Sequence, residues 1–268
     1  MHSSKITTKT LQEMKSSGQK ITAVVTYSYT MARRAEEAGI ESILVGDSAT
    51  RVFSGLSQHS AMTIDEMLYH TQAVTRACSQ AWIMADLPQD VIDAGSKDCI
   101  EASKMLINEG KADCVKVESN SENAAEIIQA IHRAGFPVMG HFGMLIENDS
   151  RISKTNSDSE TAMKDAMLDF AKQLVTAGSC ALLLSKIKAT IAAEITRQVK
   201  VATIGIGSGL DCDGQILVLE DLLGLTYREH PYYVKQYAQL GMLAQEAIQN
   251  YIDEVKKGVY PNQSHSKL

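Results

Sequence analysis

The chain has 268 residues, 44% of them hydrophobic, and sets 26 Lys and Arg against 32 Asp and Glu for a formal charge of −6. That balance excludes a general nucleic-acid surface, which needs an excess of cations. No apolar run reaches the roughly 18 residues that cross a bilayer, and the opening MHSSKITTKT has no apolar signal core, so no membrane attachment is expected.

Strand and helix patterns alternate along the chain. Residues 7–18 form a short helix closed by Gly18, and ITAVVTY (21–27) the first strand. A helix over 30–38 stops at Gly39, and SILVGD (42–47) is strand two. Thr63 and Glu66 make a capping box for a helix over 63–77. WIMAD (82–86) is strand three, followed by a helix over 96–110 that ends in glycine. DCVKVE (113–118) is strand four, 121–135 a capped helix, and PVMGH (137–141) strand five. A polar segment, 148–160, leads into a long helix over 161–178, then CALLLS (180–185) as strand six. A helix over 188–199 precedes strand seven and its turn, VATIGIGSG (201–209); strand eight lies within 215–226, and 234–258 is a long amphipathic helix.

These strands are short continuous apolar runs rather than alternating ones, the mark of burial on both faces. Helices between them make them parallel. With a length near the ~250 residues usual for the architecture, the prediction is an α/β fold, a (β/α)8 TIM barrel. It would be a single domain over 1–268 with a C-terminal amphipathic helix. Five cysteines (Cys78, Cys99, Cys114, Cys180, Cys212) without C-x-x-C spacing read as reduced thiols of a cytoplasmic protein.

In such a barrel the strand C-termini open on one face, where chemistry is built. Asp47 and Ser48 end strand two, Asp86 strand three, Lys116 and Glu118 strand four, and His141 strand five. Asp47, Asp86 and Glu118 supply the hard oxygen donors that suit Mg²⁺; the alternative for each acid is to cap the following helix. Lys116 and Glu118 share a parity and face one side of their strand. The ammonium suits a substrate carboxylate or oxyanion, or else pairs with one of the acids. His141 either serves substrate as hydrogen-bond partner, acid or base, or makes a structural hydrogen bond. Its flanking Gly140 and Gly143 favour close approach of a ligand. The Gly-rich turn at 205–209 either binds an anion through its N–H groups or is only a tight turn. His59, His70, His132, His230 and His265 read as structural or solvated. The polar segment 148–160 has the composition of a lid that would bring Arg151 or Lys154 towards an anionic substrate.

Taken in order, several segments resemble the ketopantoate hydroxymethyltransferase (3-methyl-2-oxobutanoate hydroxymethyltransferase) family, barrels of the phosphoenolpyruvate mutase/isocitrate lyase superfamily. They are V-T-Y (25–27), L-V-G-D-S (44–48), T-I-D-E-M-L-Y-H-T-Q-A-V (63–74), A-D-L-P (85–88), V-K-V-E (115–118), G-H-F-G (140–143), G-I-G-S-G-L-D-C-D-G-Q-I-L-V-L-E-D-L-L-G (205–224) and E-V-K-K-G-V-Y-P (254–261). The resemblance implies Mg²⁺ on Asp47 and Asp86 with Glu118 near it. It implies a 2-oxo acid held by Asp47, Ser48, Asp86, Lys116 and His141, and 5,10-methylenetetrahydrofolate as co-substrate. The family removes a proton beside the ketone, and the enolate attacks the folate's methylene. It also implies a cytoplasmic homo-oligomer, a decamer. The family's catalytic glutamate ends strand six, where this chain has Ser185 followed by Lys186. Lys116, His141, Ser185 and Lys186 are therefore the catalytic candidates. Its Gly-rich loop after strand two is here G-L-S-Q-H (55–59), Gln89 replaces an aromatic, and Tyr27-Ser28 replaces a Tyr-Asp pair. The loss of the glutamate admits two alternatives: a carbon–carbon lyase, decarboxylase or hydrolase on the same metal, or a catalytically inert paralogue that binds a keto acid.

Overall fold

A computed structural model describes residues 4–56, 62–118, 123–143, 160–227 and 229–267, with only the backbone at residue 160. The chain divides into two compact units, Met1–Leu217 and Val218–Leu268. Eight parallel strands close into a barrel in chain order. They are β1 (Ile21–Val25), β2 (Ser42–Val45), β3 (Trp82–Asp86), β4 (Cys114–Glu118), β5 (Val138–Gly143), β6 (Ala181–Ser185), β7 (Ala202–Ile206) and β8 (Gly214–Val218). The predicted (β/α)8 barrel is the observed fold. Its apolar strand runs are buried almost throughout, β2 and β3 without a break, as strands covered by helices outside and packed inside must be.

In the first unit the helices are α1 (Thr8–Ser17), α2 (Tyr29–Glu37), α3 (Ala49–Val52), α4 (Ile64–Ala77), α5 (Gln89–Ala94), α6 (Ser96–Asn108), α7 (Ala124–Arg133), α8 (Glu160–Ala177) and α9 (Ala189–Gln198). Local chemistry sets their ends. Thr63 and Glu66 form the expected reciprocal capping box at the start of α4. Gly18 ends α1 in the left-handed conformation at φ 73°. Each main helix turns an apolar stripe inward; in α7 it is Ile127, Ile128 and Ile131. Lys15 of α1 reaches Asp213 Oδ2 at 2.7 Å and the Thr196 carbonyl at 2.8 Å, fastening that helix beside β7 and β8.

The second unit holds α10 (Leu219–Leu222) and α11 (Leu240–Lys256). Here the sequence-based expectation needs correcting. Strand eight opens at Gly214, and the last helix begins at residue 240 rather than 234. The N–H groups of Tyr237, Leu240 and Gly241 donate to the carbonyls of Leu222, Leu223 and Gly224, at 2.9, 3.0 and 3.0 Å. Residues after Pro231 thus hydrogen-bond to the end of α10 instead of starting a helix of their own. α11 buries none of its residues. Three short helices, α3, α5 and α10, were not anticipated. The expected lid 148–160, with Arg151 and Lys154, lies outside the described residues apart from the backbone of residue 160. No helix of the described residues is long and apolar enough to cross a membrane.

Candidate active site

The barrel register sets the site residues side by side. Asp86 of β3 pairs with Lys116 of β4, Glu118 of β4 with His141 of β5, and Gly143 of β5 with Ser185 of β6. All stand at or near the C-terminal ends of their strands. Asp47 and Ser48 follow β2 directly, and the Asp47 N–H donates to Asp86 Oδ2 at 3.0 Å.

Lys116 is the centre of the cluster. Its Nζ lies 2.9 Å from Asp86 Oδ1, 3.0 Å from His141 Nδ1 and 3.8 Å from Glu118 Oε2, with only 3% of the side chain exposed. Burial works against its charge, but Asp86, Glu118 and Asp47 outweigh it and hold the ammonium above the ordinary lysine range. Lys116 is thus a fixed cation. The expectation that Lys116 and Glu118 share a face holds, and so does the simpler reading of Lys116 as an ion-pair partner.

Burial, reinforced by Lys116, pushes the His141 imidazole below its usual range, against the pull of Glu118. The ring is therefore neutral near pH 7. An ammonium has no acceptor, so Nδ1 must accept from Lys116 and the ring proton sits on Nε2. His141 is a hydrogen-bond donor through Nε2.

Burial raises the Asp86 carboxyl to about 7, with Lys116 pulling it back and Asp47 adding to the rise. Oδ2 is satisfied by the Asp47 N–H. Oδ1 has its ion pair but no well-aligned hydrogen bond among the described residues. None of the three acids caps a helix: the N-cap residues of α3, α5 and α7 are Ser48, Pro88 and Asn123. That removes the capping alternative. The donors suit a hard cation, since Asp47 and Asp86 adjoin and a buried carboxylate oxygen still lacks a hydrogen bond. Glu118 Oε2 lies 3.8 Å from the Lys116 ammonium, and no three Asp, Glu, His or Cys side chains among the described residues gather as a ligand set on their own.

The glycines serve packing rather than ligand approach. A Cβ on Gly143 would lie 1.8 Å from the Ser185 carbonyl oxygen, and one on Gly140 would lie 3.0 Å from Leu174 Cδ1 and Ser179 Oγ. Gly46 is also tightly packed: a Cβ there would lie 3.2 Å from Val25 Cγ1 and 3.3 Å from both Asp86 Oδ2 and Ser48 Oγ, so the bare backbone lets carboxylate and hydroxyl come close. Ser185 is half-buried at the end of β6. Lys186 follows in the left-handed region at φ 56°, its N–H donating to the Ile206 carbonyl at 2.7 Å. The turn at 205–209 is a structural clamp. Ser208 Oγ donates to the Leu184 carbonyl at 2.8 Å and accepts the Ile187 N–H at 3.1 Å. One contact escaped the sequence reading altogether: the Tyr27 hydroxyl lies 2.7 Å from Ser48 Oγ.

The model of the family described as ketopantoate hydroxymethyltransferase matches residues 5–263. The chain belongs to that family. Among its relatives, the 3-methyl-2-oxobutanoate hydroxymethyltransferase of Moorella thermoacetica is 42% identical over 265 residues, covering 98% of each chain. That of Trichlorobacter lovleyi is 40% identical over 262 residues, again 98% of each. Of the solved structures, a phosphonopyruvate hydrolase in complex with oxalate and Mg²⁺ is similar at a TM-score of 0.63 and 13% identity, over 97% of this chain and 91% of that one; this likeness is one of fold. The chain is therefore an enzyme of the ketopantoate hydroxymethyltransferase family, as the motifs from L-V-G-D-S to G-V-Y-P implied.

Proposed function

We propose that the chain binds a 2-oxo acid at the barrel mouth and forms a carbon–carbon bond between the carbon beside its ketone and a hydroxymethyl group, by way of an enolate. The donor is 5,10-methylenetetrahydrofolate, whose methylene together with one water becomes the hydroxymethyl group as tetrahydrofolate leaves, and the metal is Mg²⁺. The observation that carries this reading is the cluster on Lys116, a fixed cation and a neutral imidazole donor at adjacent strand ends. Negative charge grows on the keto oxygen as the proton leaves, and preorganised donors aimed at such charge are among the largest contributors to catalysis. Asp47 and Asp86 would hold the Mg²⁺, with Glu118 near it. When bound, the ion stabilises the same developing charge. Lys116 adds a permanent positive charge, His141 donates through Nε2, and Ser48 donates to the acid's anionic end. The relatives' shared name supports hydroxymethyl transfer to 3-methyl-2-oxobutanoate.

Ser185 favours a second reading. A lone hydroxyl is a poor acceptor for a carbon-bound proton, so the charge-stabilising half of the site is kept while the proton-abstracting half is weakened. Lys186 is the nearest residue in sequence able to act as a base there, in a lyase, decarboxylase or hydrolase using the same cluster. Deuterium exchange beside the ketone of 3-methyl-2-oxobutanoate, followed by NMR with and without the folate, separates the readings. The transferase reading expects slow exchange and turnover, with exchange raised about 10²–10⁴-fold in Ser185→Glu, the usual contribution of a positioned base. No exchange in either protein would refute it.

The enzyme works in the cytoplasm as a homo-oligomer. The support is α11, which buries nothing while Met242, Leu243, Ile248, Tyr251 and Val255 stand exposed along it. Light scattering that finds a monomer at micromolar concentration would refute the oligomer.

A further inference from the structure

Tyr27 is 1% exposed, just past β1. Its phenol oxygen lies 2.7 Å from Ser48 Oγ. Ser48 occupies the N-cap position of α3, yet its side chain makes no capping bond. The hydroxyl is thus withheld from its own helix and held on the phenol, with Ser48 Oγ and Asp86 Oδ2 each 3.3 Å from the point that a Cβ on Gly46 would occupy. Behind Tyr27 stands His70 of α4, buried, with Nδ1 2.9 Å from the Tyr27 carbonyl oxygen. A carbonyl only accepts, so His70 donates from Nδ1. The rings of Phe53, Tyr69 and Tyr27 meet this imidazole edge-on, at centroid distances of 4.9, 5.4 and 6.3 Å. The imidazole is wedged, and so is the backbone it holds.

A hydroxyl has a single proton to place. Of the two oxygens, the phenol is the stronger donor, and a serine that accepts from it keeps its own proton for a third group. A hydrogen bond to an ionised acceptor is roughly twice as strong as a neutral one, and each bond in a chain polarises the next. The favoured order is therefore phenol to serine to anion.

We propose that Tyr27 is a positioning residue for the reaction: its phenol donates to Ser48 Oγ and turns the Ser48 O–H towards the carboxylate of the bound 2-oxo acid, while His70 fixes the Tyr27 backbone. This rests on the reading that a 2-oxo acid binds beside Asp47 and Ser48. The Tyr27–Ser48 contact also ties the loop after β1 to the loop after β2, so substrate binding at Ser48 stiffens both.

The test is a double-mutant cycle. Phenylalanine keeps the shape of Tyr27 and lacks only the hydroxyl, so Tyr27→Phe should fold, which a thermal melt checks. Steady-state kinetics with 3-methyl-2-oxobutanoate, Mg²⁺ and the folate are measured for wild type, Tyr27→Phe, Ser48→Ala and the double variant. The expected result is a KM raised roughly tenfold in Tyr27→Phe, the scale of one lost hydrogen bond, with Mg²⁺ affinity by calorimetry within about twofold. The double variant should match Ser48→Ala, because the phenol acts only through that hydroxyl. His70→Gln, which keeps a donor, should fall between wild type and Tyr27→Phe. Multiplying effects in the double variant, or a wild-type KM in Tyr27→Phe, would overturn the proposal. If the wild type turns over no 2-oxo acid, the functional reading fails, and crystal structures of wild type and Tyr27→Phe decide the positioning role alone. A Ser48 side chain that changes rotamer supports it, and one that stays in place overturns it.

Discussion

Replacing Lys116 by methionine removes a cation that two carboxylates and an imidazole share. The Lys116 and Asp86 side chains are 3% and 4% exposed and 2.9 Å apart, so the partner left behind is a buried carboxylate without a counter-charge. Breaking a buried pair this way costs about 3–5 kcal/mol, a large share of the ~5–15 kcal/mol that keeps a domain folded. The loss should depend on pH in a defined direction. Burial already raises the Asp86 carboxyl to about 7, with Lys116 pulling it down; in the variant that pull is gone and the group titrates higher still. A folded pKa above the unfolded value of about 3.9 gives stability that is full below that value and lost as pH rises through the folded pKa. Both proteins share the loss up to pH about 7. Above it only the variant goes on losing, by about 1.4 kcal/mol per pH unit. The gap between wild type and Lys116→Met should therefore widen from pH 7 to pH 8.5, by up to about 1.4 kcal/mol per pH unit. Urea unfolding followed through the fluorescence of Trp82, the chain's single tryptophan, measures it at both pH values. Adding Asp86→Asn should recover most of the loss. A gap that is constant, or larger at pH 7, would refute the reasoning.

Asp47→Asn and Asp86→Asn should each weaken Mg²⁺ binding by more than about tenfold, since a hard cation wants charged oxygens; calorimetry with unchanged affinity in both would refute the assignment. Gly143→Ala should lose about 1–3 kcal/mol, because its Cβ would lie 1.8 Å from a backbone oxygen of Ser185 that cannot rotate away. Gly140→Ala should lose less in the same unfolding assay, since its Cβ would meet the side-chain tips of Leu174 and Ser179 at 3.0 Å; equal losses would mean that the β5–β6 approach is not the constraint.

The barrel was legible because its strands are buried on both faces and so read as unbroken apolar runs. The site was legible for a related reason: a polar side chain ending such a run has nowhere to go but the barrel mouth, and equal parity put Lys116 and Glu118 on one face. Other features were not encoded locally. α3 and α5 have four and six residues, too few for a helical period to show. The start of α11 is decided by hydrogen bonds from residues 237–241 to the end of α10, not by its own amphipathic pattern. Tyr27 and Ser48 lie 21 residues apart and meet only because β1 and β2 are neighbours. Gly143 reads as room for a ligand until the closeness of Ser185 is seen. His70 reads from sequence as structural or solvated; its partner, the Tyr27 carbonyl, is not encoded in α4 alone.

The cluster on Lys116 is a costly way to fill a barrel. Apolar side chains of the same volume at buried ion-pair positions are often neutral or stabilising, and packing alone would favour them here. What the charged set offers instead is a rigid potential: a cation that does not deprotonate, an imidazole that donates through Nε2, and a buried carboxylate paired with that cation. Those groups act on negative charge in a ligand and need no movement to do so. On the proposed function, Ser185 bears on a different part of the machinery, the acceptor of the substrate's proton, at the end of β6. Binding of the acid and stabilisation of its enolate should thus be separable in this chain from the proton transfer that makes the enolate. The proposed function assigns the first two to the Lys116 cluster and the third to residue 185.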